Sequence, residues 1–215
     1  MRPVRAVPVQ LRLATGLTSE EYVSRQAWRD ATLECCPLHP QGGCGFARHG
    51  TYERVEPPGA RVARWYCRKG HCTFSLLPDC LAARFTGSLA AFEAAAACAE
   101  ESQSLERAAD RLRPDVMDLF AALRWLRRRR TLLKQLFSIL RGLVPELFAD
   151  CLPQVGAFRR RLGCDCALVR LRAIAAPWLG VLPPPLGFGP WPEAGGDART
   201  SHQHSTGPDP PSPYP

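Results

Sequence analysis

The sequence has no uninterrupted run of about 18 apolar residues, which is the length that a membrane-spanning helix requires. The N-terminus carries early arginines, but Gln10 and Arg12 interrupt the apolar run that a signal peptide needs. These two absences predict a cytoplasmic protein. Disulfides are rare in a reducing compartment, so the clustered members of the ten cysteines become candidates for metal binding.

Recognisable catalytic motifs are also missing. The chain has no Gly-x-Ser-x-Gly, no phosphate-cradling glycine-rich loop and no His-Glu-x-x-His helix. A catalytic domain with three carboxylates that hold two Mg²⁺ ions needs a βαβ-type region, and no strand pattern frames the carboxylates after residue 130. We therefore expect a non-catalytic protein.

Acidic residues are outnumbered: 20 Asp and Glu stand against 28 Lys and Arg, which gives a formal net charge of +8. An excess of positive charge favours a polyanionic partner such as nucleic acid. A basic protein without such a partner would show the same totals, so the motifs must decide between the two interpretations.

Shifts in composition along the chain predict an α+β fold that is mostly α. The expected segments are an N-terminal arm and lead-in helix at 1–34, a small β zinc ribbon at 35–85, a helix-turn-helix at 86–130, C-terminal helices at 131–180 and a disordered Pro/Gly-rich tail at 181–215.

Local signals support this division. Thr18 with Glu21 three residues later is typical of a capping box, and the helix that it begins is expected to reach Cys35. The turn "EPPGA" lies between "FARHGTYERV" and "RVARWYC", a pattern that predicts a β-hairpin. Ser88 and Ser104 precede helical apolar patterns and are predicted N-caps.

Two cysteine-containing turns, "CCPLHPQGGCGF" and "WYCRKGHC", flank the predicted hairpin. A structural Zn²⁺ ion takes four nitrogen or sulfur ligands, usually as two close pairs from two turns. The first turn offers Cys36 and Cys44, and the second offers Cys67 with either His71 or Cys72. We predict a Zn²⁺ site formed by Cys36, Cys44, Cys67 and His71, with Cys72 as the alternate fourth ligand.

The choice within each turn rests on neighbouring residues. Cys36 precedes a proline that suits the opening of a metal turn, whereas Cys35 is expected to end the preceding helix. His39 is an alternative to Cys44, but the glycines around Cys44 give it the flexible backbone that metal turns need. A glycine directly before His71 favours that imidazole in the second turn.

These turns resemble the N-terminal zinc ribbons of bacterial insertion-sequence transposases. The matching residues of the strand and of the segment after the second turn are His49, Gly50, Tyr52, Arg54, Thr73, Phe74, Leu77 and Pro78. The resemblance covers about residues 35 to 130 and implies a helix-turn-helix after the ribbon, and we expect no catalytic domain of that family within these 215 residues. The family usually has Cys-x2-Cys where this chain has Cys67-x3-His71.

The segment "SLERAADRLRPDVMDLFAALRWLRRRR" fits a helix-turn-helix, because Ala108 and Ala109 allow a close crossing and Leu112 and Val116 can be buried at the junction. Basic side chains of the ribbon and of the second helix are expected to contact DNA. They are Arg48, Arg54, Arg64, Arg68, Lys69, Arg124, Arg127, Arg128, Arg129 and Arg130.

The resulting hypothesis is a non-catalytic, zinc-dependent, nucleoid-associated protein that binds double-stranded DNA. It would be a transposase-like accessory, remnant or regulator, with a second copy of the chain or a transposase as further partners. The alternative hypothesis is a zinc-ribbon module for protein–protein interaction that uses the apolar helix at 132–148.

Overall fold

The computed structural model describes residues 7–112 and 118–189. The chain forms two compact units, Met1–Leu81 and Ala82–Pro215. The first contains a four-stranded sheet and one helix, and the second contains six helices among its described residues. The predicted mixed α+β class is therefore confirmed. No helix in the described ranges is long and apolar enough to cross a membrane.

The sheet of the first unit has the strand order β1-β4-β3-β2. Its strands are β1 (Val7–Leu13), β2 (Ala47–Glu53), β3 (Arg61–Cys67) and β4 (Cys72–Pro78). β2, β3 and β4 pair antiparallel, and β2–β3 is the hairpin that the sequence predicts. The short β3–β4 turn brings Cys72 directly opposite Cys67 in the register.

Strand β1 was not predicted, because the sequence analysis assigned residues 1–34 to an arm and a helix. β1 instead pairs parallel with β4, from Val7 opposite Cys72 to Leu13 opposite Pro78. The Arg12 guanidinium donates two hydrogen bonds to the Asp79 carboxylate, at 2.8 and 2.7 Å. A bidentate pair of this kind fixes geometry as well as adding energy, so it anchors β1 on the sheet.

The predicted capping box is confirmed at α1 (Ser19–Ser24): the Glu21 N–H donates to Thr18 Oγ1, and the Glu21 side chain accepts from the Thr18 N–H. The helix was predicted to reach Cys35, but it ends at Ser24. The chain turns at Gln26, which has a φ of 50°, and Trp28 then packs against the buried Tyr22 ring at 5.7 Å. The left-handed conformation at Gln26 is incompatible with a helix that continues to Cys35.

The second unit consists of helices of very different length. They are α2 (Leu89–Glu101), α3 (Leu105–Leu112), α4 (Leu119–Leu143), α5 (Pro145–Phe148), α6 (Val155–Leu162) and α7 (Ala167–Ile174), followed by a 3₁₀ turn at Ala176–Trp178. The predicted caps are confirmed, since Ser88 Oγ accepts from the Ala91 N–H at 3.0 Å and Ser104 Oγ accepts from the Arg107 N–H at 3.2 Å.

Helix α4 continues through residues 130 and 131, so the predicted boundary between a helix-turn-helix at 86–130 and C-terminal helices at 131–180 falls inside one helix. No proline or glycine interrupts residues 119–141, and the Asp118 side chain caps the start by accepting from the Ala121 N–H at 2.9 Å. The arginine run and the apolar stripe that follows it thus belong to one rigid helix. The turn predicted around Pro114, with Val116, lies outside the described residues.

The core of the second unit forms around the apolar face of α4. Leu133, Leu136, Phe137 and Leu140 are all buried there, and the Phe137 ring stacks on Phe158 of α6 at 4.2 Å. Ala108 and Ala109 of α3 form a smaller cluster with residues of α2 and α4, and these include Leu123 and Leu126 of α4. The small side chains of Ala108 and Ala109 are therefore buried where α3 packs against α2 and α4.

The prediction of disorder from residue 181 is wrong for residues 181–189. Leu182 and Leu186 are buried in the core, and the Ala83 N–H donates to the Pro185 carbonyl at 2.9 Å. The fully buried Arg172 side chain donates to the carbonyls of Pro185 and Leu186, at 2.6 and 3.0 Å. Composition alone suggested disorder, whereas these specific contacts order the segment. Residues 190–215 lie outside the described residues.

Candidate metal centre and basic surfaces

Four side chains of the first unit form a compact group: Cys36, His39, Cys44 and Cys67 have their ligand atoms within 4.8 Å of one another. His39 Nδ1 lies 3.6 Å from Cys36 Sγ and 3.4 Å from Cys67 Sγ. The three cysteines are buried and His39 is half-buried. Groups of soft sulfur and imidazole ligands at this separation are typical of metal sites.

Local backbone geometry brings the four ligands together. Cys36 and His39 form an isolated bridge in a turn where the His39 N–H donates to the Cys36 carbonyl at 3.1 Å. Cys67 ends β3, and its Sγ accepts from the Gly70 N–H at 3.2 Å. The Lys69 N–H donates to the Cys44 carbonyl at 3.2 Å, which holds the Cys44 loop against the β3–β4 turn.

The ligand separations fit a tetrahedral ion. Bond lengths of about 2.3 Å to sulfur and about 2.0 Å to nitrogen give a sulfur–nitrogen edge of roughly 3.5 Å and a sulfur–sulfur edge of roughly 3.8 Å. The two sulfur–nitrogen distances at His39, 3.4 and 3.6 Å, bracket the expected edge. The chain therefore has a complete set of three thiols and one imidazole that can close a coordination sphere.

The thiols influence one another's protonation. Burial by itself would raise the pKa of Cys36, but contacts with His39 and with backbone N–H groups lower this pKa to about 7. Burial and the neighbouring Cys67 and Cys36 raise the pKa of Cys44. The thiolate is the form that binds metal, so the lowered pKa of Cys36 favours its role as a ligand.

The predicted fourth ligand requires a correction, because the structure places His39 in the group and leaves His71 and Cys72 outside it. His71 is exposed with a φ of 45°, and its Nδ1 lies 3.3 Å from the Tyr66 hydroxyl. Cys72 is buried at the start of β4. Its pKa is raised chiefly by this burial and further by the negative charge of the neighbouring Cys67 and Cys36 thiolates. Cys36, Cys44 and Cys67 are brought together as the sequence predicted.

The spacing of Cys36 and His39 in the sequence itself indicates that His39 is a ligand. Cys36 and His39 are separated by two residues, which is a common spacing for zinc ligands, whereas seven residues separate Cys36 from Cys44. An arrangement with two ligands from each turn makes His39 and Cys44 alternatives to each other. The first turn instead supplies three ligands and the second supplies Cys67 alone.

The basic residues of the first unit have different surroundings. The Arg48 guanidinium donates to the Trp28 and Arg29 carbonyls, at 2.6 and 2.8 Å, so it ties the loop after α1 to β2. Arg64 is half-buried and donates to the Thr51 carbonyl at 3.3 Å. Arg54 is also half-buried, while Arg68 and Lys69 are exposed in the β3–β4 turn beside the metal ligands.

The arginine run of α4 is divided between two sides of the helix. Arg124, Arg127, Arg128 and Arg130 are exposed, but Arg129 is only 4% exposed. The Arg129 guanidinium lies over the Trp125 ring at 3.8 Å and over the Phe92 ring at 4.8 Å. The prediction that Arg129 contacts DNA is therefore wrong, because the helical repeat turns this residue into the core.

Helix α4 has an extreme charge distribution. It contains six arginines and one lysine but no aspartate or glutamate. Its exposed cations at Arg124, Arg127, Arg128, Arg130 and Lys134 are here called the basic face of α4. Arg127 and Arg128 lie three and four residues after Arg124, and Arg130 and Lys134 continue from Arg127 at steps of three and four, so the members lie on one half of the helix surface. This face is a candidate site for a polyanion.

The alternative hypothesis used the apolar helix at 132–148 as a partner surface, and the structure contradicts it. Leu132, Leu133, Leu136, Phe137, Leu140, Val144 and Phe148 are buried in the core of the second unit. Side chains that fill the core of their own unit cannot serve as an exposed surface for a partner.

No family model, no curated protein and no solved structure matches this chain. The resemblance to transposase ribbons therefore rests on the motifs in the sequence, and the chemistry of the chain rests on the geometry of its residues.

Proposed function

We propose that this chain is a non-catalytic, zinc-dependent DNA-binding protein, an accessory or regulator of transposase-like origin. The observation that carries this proposal is the basic face of α4, a row of exposed cations on a 25-residue helix without a carboxylate. In this proposal Zn²⁺ stabilises the first unit, and α4 supplies the principal contacts to the phosphates of double-stranded DNA.

The argument for zinc rests on the donor set. Thiolates and imidazole in a tetrahedral arrangement suit Zn²⁺ better than Mg²⁺ or Ca²⁺, which prefer oxygen ligands. Four protein ligands at Cys36, His39, Cys44 and Cys67 would leave no position open for a substrate, which is the pattern of structural and not of catalytic zinc sites. The expected role of the ion is therefore to hold the loop of residues 36–44 against the end of β3.

The argument for DNA rests on charge and length. The basic face extends over residues 124–134, about 15 Å along the helix axis, which is several times the spacing of phosphates along a duplex. Each phosphate that is neutralised releases a counterion, and five contacts predict a slope of about −4 to −5 in a plot of log K against log salt concentration. Arg68 and Lys69 provide further exposed cations in the first unit.

The test is a salt titration of duplex DNA binding, measured by fluorescence anisotropy with wild-type protein and with the triple variant Arg124→Gln, Arg127→Gln, Arg128→Gln. We expect the triple variant to bind more weakly. Its slope of log K against log salt concentration should be smaller in magnitude than that of the wild type by about 2 to 3. The matched control is Arg160→Gln, Arg161→Gln, Arg170→Gln, which removes the same charge from exposed positions on α6 and α7. DNA binding that is absent at low salt, or equal losses in both variants, would reject the proposed role of α4.

A further inference from the structure

A groove of about 1150 Å³ lies within the second unit, along the middle of α4. The end of α2, the start of α3 and the residues Pro153 and Gln154 form its other walls. The residues that α4 contributes include Arg130, Thr131 and Lys134. Two members of the basic face of α4 therefore also line this groove.

The groove continues the row of cations on α4. Arg127 is followed by Arg130 and Thr131 at three and four positions, which is the spacing of neighbours on one side of a helix. Lys134 follows at the same spacing, so a polyanion that contacts Arg124 and Arg127 is directed into the groove. The row and the groove form one continuous track along the helix.

The polar groups of the groove favour an anion. Glu100 is its one acidic lining residue among the described part of the chain, and its carboxylate accepts from the Val155 N–H at 2.9 and 3.2 Å. This carboxylate caps the N-terminus of α6 and also interacts electrostatically with Arg130, so Arg130 and Lys134 together still leave the groove with an excess of one positive charge. Gln103, which accepts from the Arg107 guanidinium, contributes an amide group.

The size and composition of the groove indicate which part of a nucleic acid it fits. Its volume exceeds the roughly 300–1000 Å³ of most small-ligand sites. Its described lining has no aromatic side chain, so bases have no surface on which to stack. A sugar–phosphate backbone fits these features better than a base or a free nucleotide does.

We propose that this groove binds the phosphodiester backbone of the DNA and that Arg130 and Lys134 are its phosphate contacts. This inference rests on the proposed function and specifies it: the groove adds affinity that does not depend on the DNA sequence, because phosphates carry no sequence information. The remaining exposed arginines at 124, 127 and 128 lie outside the groove lining.

The experiment measures binding of the full chain to three duplexes of equal length and different sequence at several salt concentrations. In the double variant Arg130→Gln, Lys134→Gln we expect the slope of log K against log salt to shrink by about 2, equally for the three duplexes. Arg160→Gln, Arg161→Gln is the control with the same charge change. The variant Arg130→Lys, Lys134→Arg keeps both charges and should retain the wild-type slope.

The outcomes separate the inference from the proposed function. A wild-type slope in Arg130→Gln, Lys134→Gln, together with a reduced slope in the triple variant at Arg124, Arg127 and Arg128, would overturn the groove and leave the proposed function standing. A loss confined to one of the three duplexes would overturn the assignment to the backbone. Wild-type protein that does not bind DNA would overturn both. Thermal unfolding of each variant, expected to match wild type, excludes loss of fold as the cause.

Discussion

His39 Nδ1 lies 3.4 Å from Cys67 Sγ, although 28 positions separate the two residues in the sequence. This contact joins the turn that begins at Cys36 to the last residue of β3, across the β2–β3 hairpin. Its length matches an edge of a tetrahedral zinc site, roughly 3.5 Å. The imidazole of His39 is therefore the group that completes the set of candidate ligands.

Replacing His39 tests this assignment directly. We expect wild-type protein to hold about one Zn²⁺ per chain and His39→Ala to lose it to a competing chelator, since three thiols alone leave the tetrahedron open. His71→Ala and Cys72→Ala are the matched controls and should retain the metal. The measurement is metal analysis of purified protein, and zinc that is lost from His71→Ala but kept by His39→Ala would contradict the assignment.

Removal of the metal should destabilise the first unit and leave the second intact. Structural zinc binding is coupled to folding, and the ligands of this site come from the loop of residues 36–44 and the end of β3. After chelation we expect hydrogen-exchange protection to fall in β2, β3 and β4 but to persist in the buried half of α4. A uniform loss of protection across both units would show that the site does not act locally.

The buried carboxylate of Glu93 on α2 provides a test of stability in the second unit. It accepts from Arg159 Nε at 2.6 Å and from the Ala167 and Leu168 N–H groups at 3.0 and 2.6 Å. Glu93→Ala would leave these donors without their partner, at a cost of about 3–5 kcal/mol in the free energy of unfolding. Urea denaturation measures this cost. Glu101→Ala, at an exposed position on the same helix, should change stability by only about 0.5 kcal/mol.

The ordered segment at 181–189 depends on Arg172. Its buried guanidinium donates to the carbonyls of Pro185 and Leu186, so Arg172→Met leaves both acceptors unsatisfied. Because hydrogen bonds from charged groups contribute about 1.5–3 kcal/mol each, we expect the segment to detach and to become accessible to proteolysis. Arg170→Met, on the exposed side of α7, is the control. Equal cleavage rates in wild type and Arg172→Met would refute this role.

Local signals in the sequence predicted local structure well. The cap at Thr18 depends on side chains three residues apart, and the stripe from Leu133 to Leu140 follows the helical repeat, so both could be recognised without tertiary information. Cys36, Cys44 and Cys67 could be grouped because they flank a recognisable hairpin. These features share a short range in sequence or a fixed period.

Features that depend on distant partners could not be predicted. Strand β1 is held by pairing with β4 and by the Arg12–Asp79 ion pair, which spans 67 positions. The spacing from Cys36 indicates His39 as a ligand, but only its contact with Cys67 shows that His39 and Cys44 belong to one group, and the order of 181–189 required the buried contacts of Arg172. In each case a tertiary contact outweighs the local composition.

Arg128 and Arg129 are adjacent in sequence but should differ in function. Arg128 belongs to the basic face of α4 and lies over one ring, that of Phe85 at 5.1 Å, whereas Arg129 is buried over the rings of Trp125 and Phe92. We expect Arg128→Gln to reduce the salt slope of DNA binding by about 1 and to lower the free energy of unfolding by about 0.5–1 kcal/mol at most, the range of an exposed cation–π contact such as the one with Phe85. Arg129→Gln should do the reverse, lowering stability by about 1–2 kcal/mol through lost cation–π contacts while the slope is retained. Anisotropy titrations and urea denaturation of the same two preparations measure both quantities. A slope that falls equally in the two variants would mean that Arg129 leaves the core to contact DNA, and the division of the arginine run into a buried and an exposed side would then be wrong.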